Sequence, residues 1–422
     1  MTQTSPLGKY LIGLEIRWHH SRQMNAIYRS LKLVFPVILL GSLADFFDSA
    51  WLQKTGYYYQ TLGVGHWDWP LKVLRAYFRL VSAGTLGFAA ILLAFAVSFY
   101  LVAAVTPHTT DRLIAGMTAV ISLKFFNVNR ASVLTLKPVQ WLSTNLGIQG
   151  VCIGILMGLL VGNGYRWWLQ RQSTVEENLP RTLSITSGWL LVMAALGLLW
   201  ISTQTVGLNV AFASIVRWPF KLPHFILGLL GFSTLSSLLQ WLGALGPLTT
   251  GSGQTIETAQ NLAAVLNHSG WQLPHPVTLH TIVSVYTTMG GTGMVLALLL
   301  AIFLSKPDPL QRRVGWLSAL PTLGNLNTPL LVGLPVMFSP TLAVPFLLAP
   351  LACTLISWAC VRLQLVPAVA YPLANGTPGP LIAYLGTGGS WAALILAIIN
   401  LVISTAIYYP FVKWFQLAQR GE

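Results

Sequence analysis

The chain has 422 residues, of which 54% are hydrophobic and 8% charged, against about 25% charged in a soluble globular protein. That excludes a soluble enzyme and a disordered chain. The formal charge of +14 comes from 24 basic and 10 acidic residues. The basic residues sit at the edges of apolar runs, where they serve as headgroup and cytoplasmic-side anchors. The composition is that of an integral membrane protein in contact with lipid, with no nucleic acid as partner.

Residues 1–32 carry Lys9, Arg17, Arg22, Arg29 and Lys32 against a single acid, Glu15. No cleavable signal is visible, because a long basic amphipathic segment precedes the first apolar run. It reads as a cytoplasmic N-terminus lying on the membrane surface, oriented by the positive-inside rule. Apolar runs then follow over Leu33–Phe47, Ala83–Val105, Leu113–Leu123 (extending through Phe126), Gly147–Val161, Gly188–Ile201, Phe225–Leu248 and Ile282–Leu304. Beyond the Lys306–Arg313 loop, Val314–Val361 and Leu363–Val412 are free of charge, with Arg362 between them. A spanning helix takes about 20 residues, so the chain reads as an all-α polytopic protein of about ten spans with re-entrant pieces.

The last two stretches do not read as simple helices. Pro321, Pro329, Pro335, Pro340, Pro345 and Pro350 recur every five to eight residues, and each proline removes a donor and clashes with the preceding turn. A broken or re-entrant segment is expected around Gly324–Phe338, followed by a spanning helix, with a second irregular stretch over Pro372–Gly389. Non-helical backbone at membrane depth must be buried in protein or line a wet cavity. Such breaks are the best sequence pointer to a transporter's binding site.

Two glycine clusters, Gly290-Gly291-Thr292-Gly293 and Gly386-Thr387-Gly388-Gly389, lack the preceding soluble strand and the Lys-Ser/Thr of a nucleotide loop. Close backbone approach, to a helix or to a bound polar ligand, is the better reading. Cys152, Cys353 and Cys360 lie in apolar runs without metal spacing and read as small core residues. No nucleotide, metal or other cofactor is implied.

Taken in order, several of these motifs resemble the membrane (IIC) component of the bacterial sugar phosphotransferase system, in its lactose/cellobiose/chitobiose branch. They are Asn25-Ala26-Ile27-Tyr28-Arg29 with Phe35-Pro36 through Ser42; Asn178-Leu179-Pro180 through Trp189; Gly290–Gly293; and Tyr408 to Lys413. The most specific is Asn325-Leu326-Asn327-Thr328-Pro329, then Gly333-Leu334-Pro335 and Pro345-Phe346. The resemblance implies ten helices with two re-entrant hairpins in a bacterial cytoplasmic membrane. It also implies a homodimer formed through an N-terminal half (1–181), a sugar site in a C-terminal half (182–422), and cytosolic IIB and IIA partners. The implied substrate-binding residues are Asn325, Asn327, Thr328, Leu245, Gly290, Gly291, Thr292 and Gly293.

Two positions depart from the family pattern. The family's Asn-Ile-Asn-Glu-Pro glutamate is Thr328 here, and the histidine of its Gly-Ile-His-Gly turn corresponds to Leu245 in Gly243-Ala244-Leu245-Gly246. A sugar hydroxyl attacking a phosphocysteine needs a proton acceptor in reach. Thr328 hydrogen-bonds but does not accept a proton at neutral pH, and Leu245 does neither. The one acid between Thr182 and Leu304 is Glu257, which reads as a solvated loop carboxylate or as a substitute for the missing one. His224, His268, His275 and His280 read as interfacial or loop residues. Asn325 and Asn327 either bind sugar or satisfy the broken segment's backbone. Three functions stay open: a phosphotransferase sugar permease, a non-transporting sensor or scaffold, and a facilitator that moves solute without phosphorylation.

Overall fold

The computed structural model describes residues 5–66, 71–135, 138–171, 179–203, 218–221, 225–244, 256–267 and 273–421. Among them the chain is helical, with no strand beyond isolated bridges such as Gly56 with Asn375. The longer helices are α1 (Pro6–His20), α2 (Arg22–Phe46), α3 (Leu71–Thr85), α4 (Ala89–Ala103), α5 (Thr109–Phe126), α6 (Val151–Gln170), α7 (Leu179–Thr203) and α8 (Phe225–Trp241). They continue with α9 (Ile256–Leu266), α10 (Val295–Leu304), α11 (Pro309–Leu323), the short α12 (Thr328–Gly333), α13 (Pro340–Arg362), the short α14 (Leu381–Gly386) and α15 (Trp391–Arg420).

Six helical stretches among the described residues are long and apolar enough to cross a membrane. They are Arg22–Leu52, Leu71–Ala103, Ile148–Gln170, Thr186–Thr203, Pro340–Arg362 and Trp391–Arg420, with Phe225–Trp241 and Val295–Leu304 as shorter apolar helices. The apolar run near residue 113 does extend through Phe126, as α5. The run Ile282–Leu304 is not one continuous helix. A π-helical stretch, His280–Tyr286, ends at Thr287, the backbone turns through the glycine cluster, and α10 starts only at Val295. The physical reason is local: Gly290, Gly291 and Gly293 all have positive φ, at 74°, 92° and 86°, which ends a right-handed helix.

The chain breaks where the prolines predict. α11 stops at Gly324, Asn325 enters the left-handed region at φ 66°, α12 runs six residues, and Phe338 at φ 62° precedes α13. Pro340 occupies the first turn of α13, where its missing N–H costs nothing. A further non-helical stretch leads from Leu363 to Pro380, so the second irregular region expected over Pro372–Gly389 is non-helical in its first half but holds the short helix α14 at Leu381–Gly386.

Within this architecture α4 packs on α5 and α6, α5 on α7, α13 on α8 and α15, and α10 on α11 and α15. One small core holds Ala90, Ala94, Ala115, Ala119 and Val161. A larger one joins Ile27, Leu31 and Val34 of α2 to Leu93 and Val97 of α4, Leu330 and Leu331 of α12, and Phe346 of α13. The N-terminal helices therefore reach far along the chain. α1 packs on α13 and α15, and α2 packs on α12 and α11 as well as on α3 and α4.

Candidate functional site

The left-handed turn at Asn325 and the start of α12 aim two asparagine side chains at neighbouring irregular backbone. Asn325 accepts the Gly290 N–H through Oδ1 at 2.8 Å and donates from Nδ2 to the Thr377 carbonyl at 2.9 Å. It thereby ties the break after α11 both to the glycine turn before α10 and to the stretch before α14. Asn327 is buried. It donates from Nδ2 to the Thr292 carbonyl at 3.1 Å and accepts from Gln240 Nε2 of α8 at 3.0 Å. Of the two roles open to these asparagines, backbone satisfaction is the one these contacts fill. Each amide retains one further donor and acceptor site.

The glycines on the other side of this junction are set by close approach. A Cβ on Gly291 would lie 2.7 Å from the Asn327 amide group, and one on Gly293 2.3 Å from the Phe346 ring. The Gly293 carbonyl accepts from the buried Tyr408 hydroxyl of α15. Asn325, Asn327, Gly290, Gly291, Thr292 and Gly293 are thus brought together at one crossing of broken segments. Thr328 follows at the first position of α12 and is half-buried. Leu245 lies outside the described residues, as do His224 and His268.

Chemically the junction offers amides, the hydroxyls of Thr292 and Thr328, and backbone groups. It can hydrogen-bond a polyol, but Asn325, Asn327, Thr328 and Thr292 include no general base at neutral pH. Glu257 is half-buried in the first turn of α9. His275 is held in the loop after α9: its backbone N–H donates to Asn261 Oδ1 at 3.0 Å, and its Nε2 meets Gln260 Oε1 at 2.7 Å. His280 corrects the sequence reading. It is buried in the π-helix instead of lying in a loop, and both ring nitrogens lack a hydrogen-bond partner among the described residues. The apolar run around it hides that burial, because a histidine at its edge reads as interfacial.

Sequence reasoning missed three contributors. Gln240 sits in the apolar run of α8, Thr377 lies 52 positions from Asn325, and Tyr408 reaches Gly293 from α15. The signals available were a polar residue inside an apolar helix for Gln240 and, for Tyr408, its place in the Tyr408–Lys413 motif, which did not point to Gly293.

Residues 29–350 match the family described as phosphotransferase system, EIIC. A putative permease IIC component, YwbA, of Bacillus subtilis (strain 168) is 25% identical, covering 95% of this chain and 93% of its own. The oligo-beta-mannoside-specific EIIC component of a phosphotransferase system from the same organism is 22% identical, over 96% of this chain and 92% of its own. Among solved structures, the transporter ChbC, the IIC component of an N,N'-diacetylchitobiose-specific phosphotransferase system, is 19% identical at a TM-score of 0.44. That alignment covers 98% of this chain and 99% of that one.

Proposed function

The chain belongs to the phosphotransferase system EIIC family, and on that premise we propose that it binds a sugar at the junction around Asn327 and Thr328 and carries it across the bacterial cytoplasmic membrane. The observation that supports it is the break between α11 and α13, which sets Asn325 and Asn327 against the glycine turn, with Thr328 next in the chain. The oligo-beta-mannoside name of one relative favours a β-linked disaccharide as solute. In this reading cytosolic IIB and IIA proteins serve the chain, and about ten spans with two re-entrant hairpins fill the bilayer. Residues 1–181 form the dimerising half, residues 182–422 the transporting half, and the N-terminus is cytoplasmic.

A second reading has a specific observation behind it. Thr328 stands where the family pattern has a carboxylate, and both neighbouring asparagines spend hydrogen bonds on backbone. Loss of a proton acceptor costs general-base catalysis typically 10²–10⁴-fold. Sugar passage without phosphorylation, or retention of the fold as a sensor or scaffold, follows if nothing replaces that group.

The experiment is uptake of radiolabelled β-disaccharides into proteoliposomes, with and without phosphoenolpyruvate and the IIA and IIB proteins. Uptake that requires the phosphorylated partner supports the coupled permease. Uptake that equilibrates without it supports the facilitator. No uptake across a panel of mono- and disaccharides by correctly inserted protein overturns both. As an arm of the same assay, Leu245→His combined with Thr328→Glu is expected to raise sugar phosphorylation above the unsubstituted chain.

A further inference from the structure

Glu15 is an unusual residue in this chain. It is one of ten acids, it is fully buried, and the groups that donate hydrogen bonds to its carboxylate lie more than 320 positions away. Its carboxylate accepts from Ser339 Oγ at 2.9 and 3.0 Å and from the Thr341 backbone N–H at 2.9 Å. Those residues are the start of α13, directly after the broken segment, and an N-terminal turn of a helix favours negative charge. The same α1 helix also presents the Leu11 carbonyl to Thr341 Oγ1 at 3.3 Å. His19, one turn on, lies 3.4 Å from the carboxylate and stacks on Tyr28 at 4.1 Å. Tyr28 donates its hydroxyl to the Phe338 carbonyl at 3.1 Å.

Phe338 and Ser339 are the hinge-like point of this region. Phe338 holds φ 62°, a conformation that a bulky side chain adopts only when its surroundings enforce it. The enforcement comes from three helices. α1 supplies Glu15, α2 supplies Tyr28, and α8 supplies Trp241, whose backbone carbonyl accepts the Phe338 N–H and whose Nε1 donates to the Ser339 carbonyl. Burying a carboxylate is costly unless it is fully hydrogen-bonded, and an ordinary serine cap would satisfy the α13 terminus without one. Ser339 already provides that cap, accepting from the Leu342 N–H.

We infer that α1 is a strap, latched by Glu15, that holds the exit of the broken segment and so sets the position of Leu326–Gly333 ahead of it. Release of the Glu15 contacts frees Phe338 from its left-handed conformation and lets α12 shift relative to α13. The strap thereby couples the first helix of the chain to the junction that carries Asn327 and Thr328.

Hydrogen exchange of the full chain in lipid nanodiscs tests this without any solute, so a failure of sugar uptake leaves the result interpretable. Glu15→Ala is expected to speed exchange of amides in both 326–334 and 339–344 by about tenfold or more, since two charge-assisted hydrogen bonds are lost. The α4 and α6 amides remain unchanged. Glu15→Gln, which keeps one acceptor oxygen, gives a smaller rise over the same residues. A rise confined to 339–344 identifies a plain helix cap and overturns the strap, as does no rise at all. If Glu15→Ala does not fold, Tyr28→Phe removes only the bond to Phe338. The strap then requires faster exchange over 326–334, and unchanged exchange there overturns it.

Discussion

Asn325 holds φ 66° while its amide bonds Gly290 on one side and Thr377 on the other. Asparagine is among the few side chains that accept the left-handed region readily, so one residue supplies both the turn and the cross-ties. Asn325→Ala keeps the size small but removes an acceptor from one backbone group and a donor from another. Each buried polar group left unpaired costs about 1–3 kcal/mol, and a clear fall in the thermal midpoint in detergent is expected. Asn375→Ala is the matched control. Its side chain makes one exposed contact to Thr55 Oγ1 at 3.2 Å, and the midpoint is expected to move little. At this scale the sequence showed that Asn325 and Asn327 mattered, through their place in a proline-broken stretch. It left open whether they face solute or backbone, because the carbonyls they reach lie on segments distant in sequence.

Helix α6 meets α4 through Gly154, Gly158 and Gly162, spaced four residues apart on one face. A Cβ on Gly154 would lie 2.4 Å from the Ala90 carbonyl oxygen, and one on Gly158 2.8 Å from that of Ala94. Small residues at this spacing let two apolar helices approach until their backbones touch, which is what drives packing where lipid tails are as apolar as the side chains. Gly158→Leu therefore forces α4 and α6 apart, and its monodisperse fraction on size-exclusion chromatography is expected to fall sharply. Gly188→Leu in α7, where a Cβ meets nothing within 4 Å, is expected to elute as the unsubstituted chain does. Helix existence was legible from apolar runs at this scale, and the break around Gly324–Phe338 from its prolines. The interruption between Tyr286 and Val295 was not, because the run carries no charge or proline and its cluster Gly290–Gly293 reads as close helix packing as readily as a break.

Across the whole molecule, the N-terminal helices are part of the packing around the junction. Ile27, Leu31 and Val34 of α2 share a core with Leu330, Leu331 and Phe346, and Glu15 and Tyr28 reach the start of α13. A fragment from residue 179 onward is expected to leave those apolar and polar partners uncovered. It should purify as a defined species only when a second fragment carrying α1 and α2 is co-expressed and retained with it. Recovery of the later fragment alone, monodisperse in detergent, would show that the contacts are dispensable.

The sequence by itself determined that this chain lives in a membrane, that it is helical, where its prolines break the backbone and which family motifs it keeps or replaces. Those properties follow from local causes: too few charges for a water-facing surface, apolar runs long enough for a bilayer, and prolines that forbid continuous helix. Only the tertiary structure decided that the asparagine amides tie three broken stretches together, that His280 is buried with no hydrogen-bond partner among the described residues, and that Glu15 bonds the start of α13, more than 320 positions along the chain. Each of these depends on which backbone groups are left unpaired at a turn and on which distant side chain lies within hydrogen-bond reach. Neither is encoded in composition or spacing. The few charges that opened the reading as a mark of lipid thus include one carboxylate that lies wholly inside the protein, where only folding could give it partners.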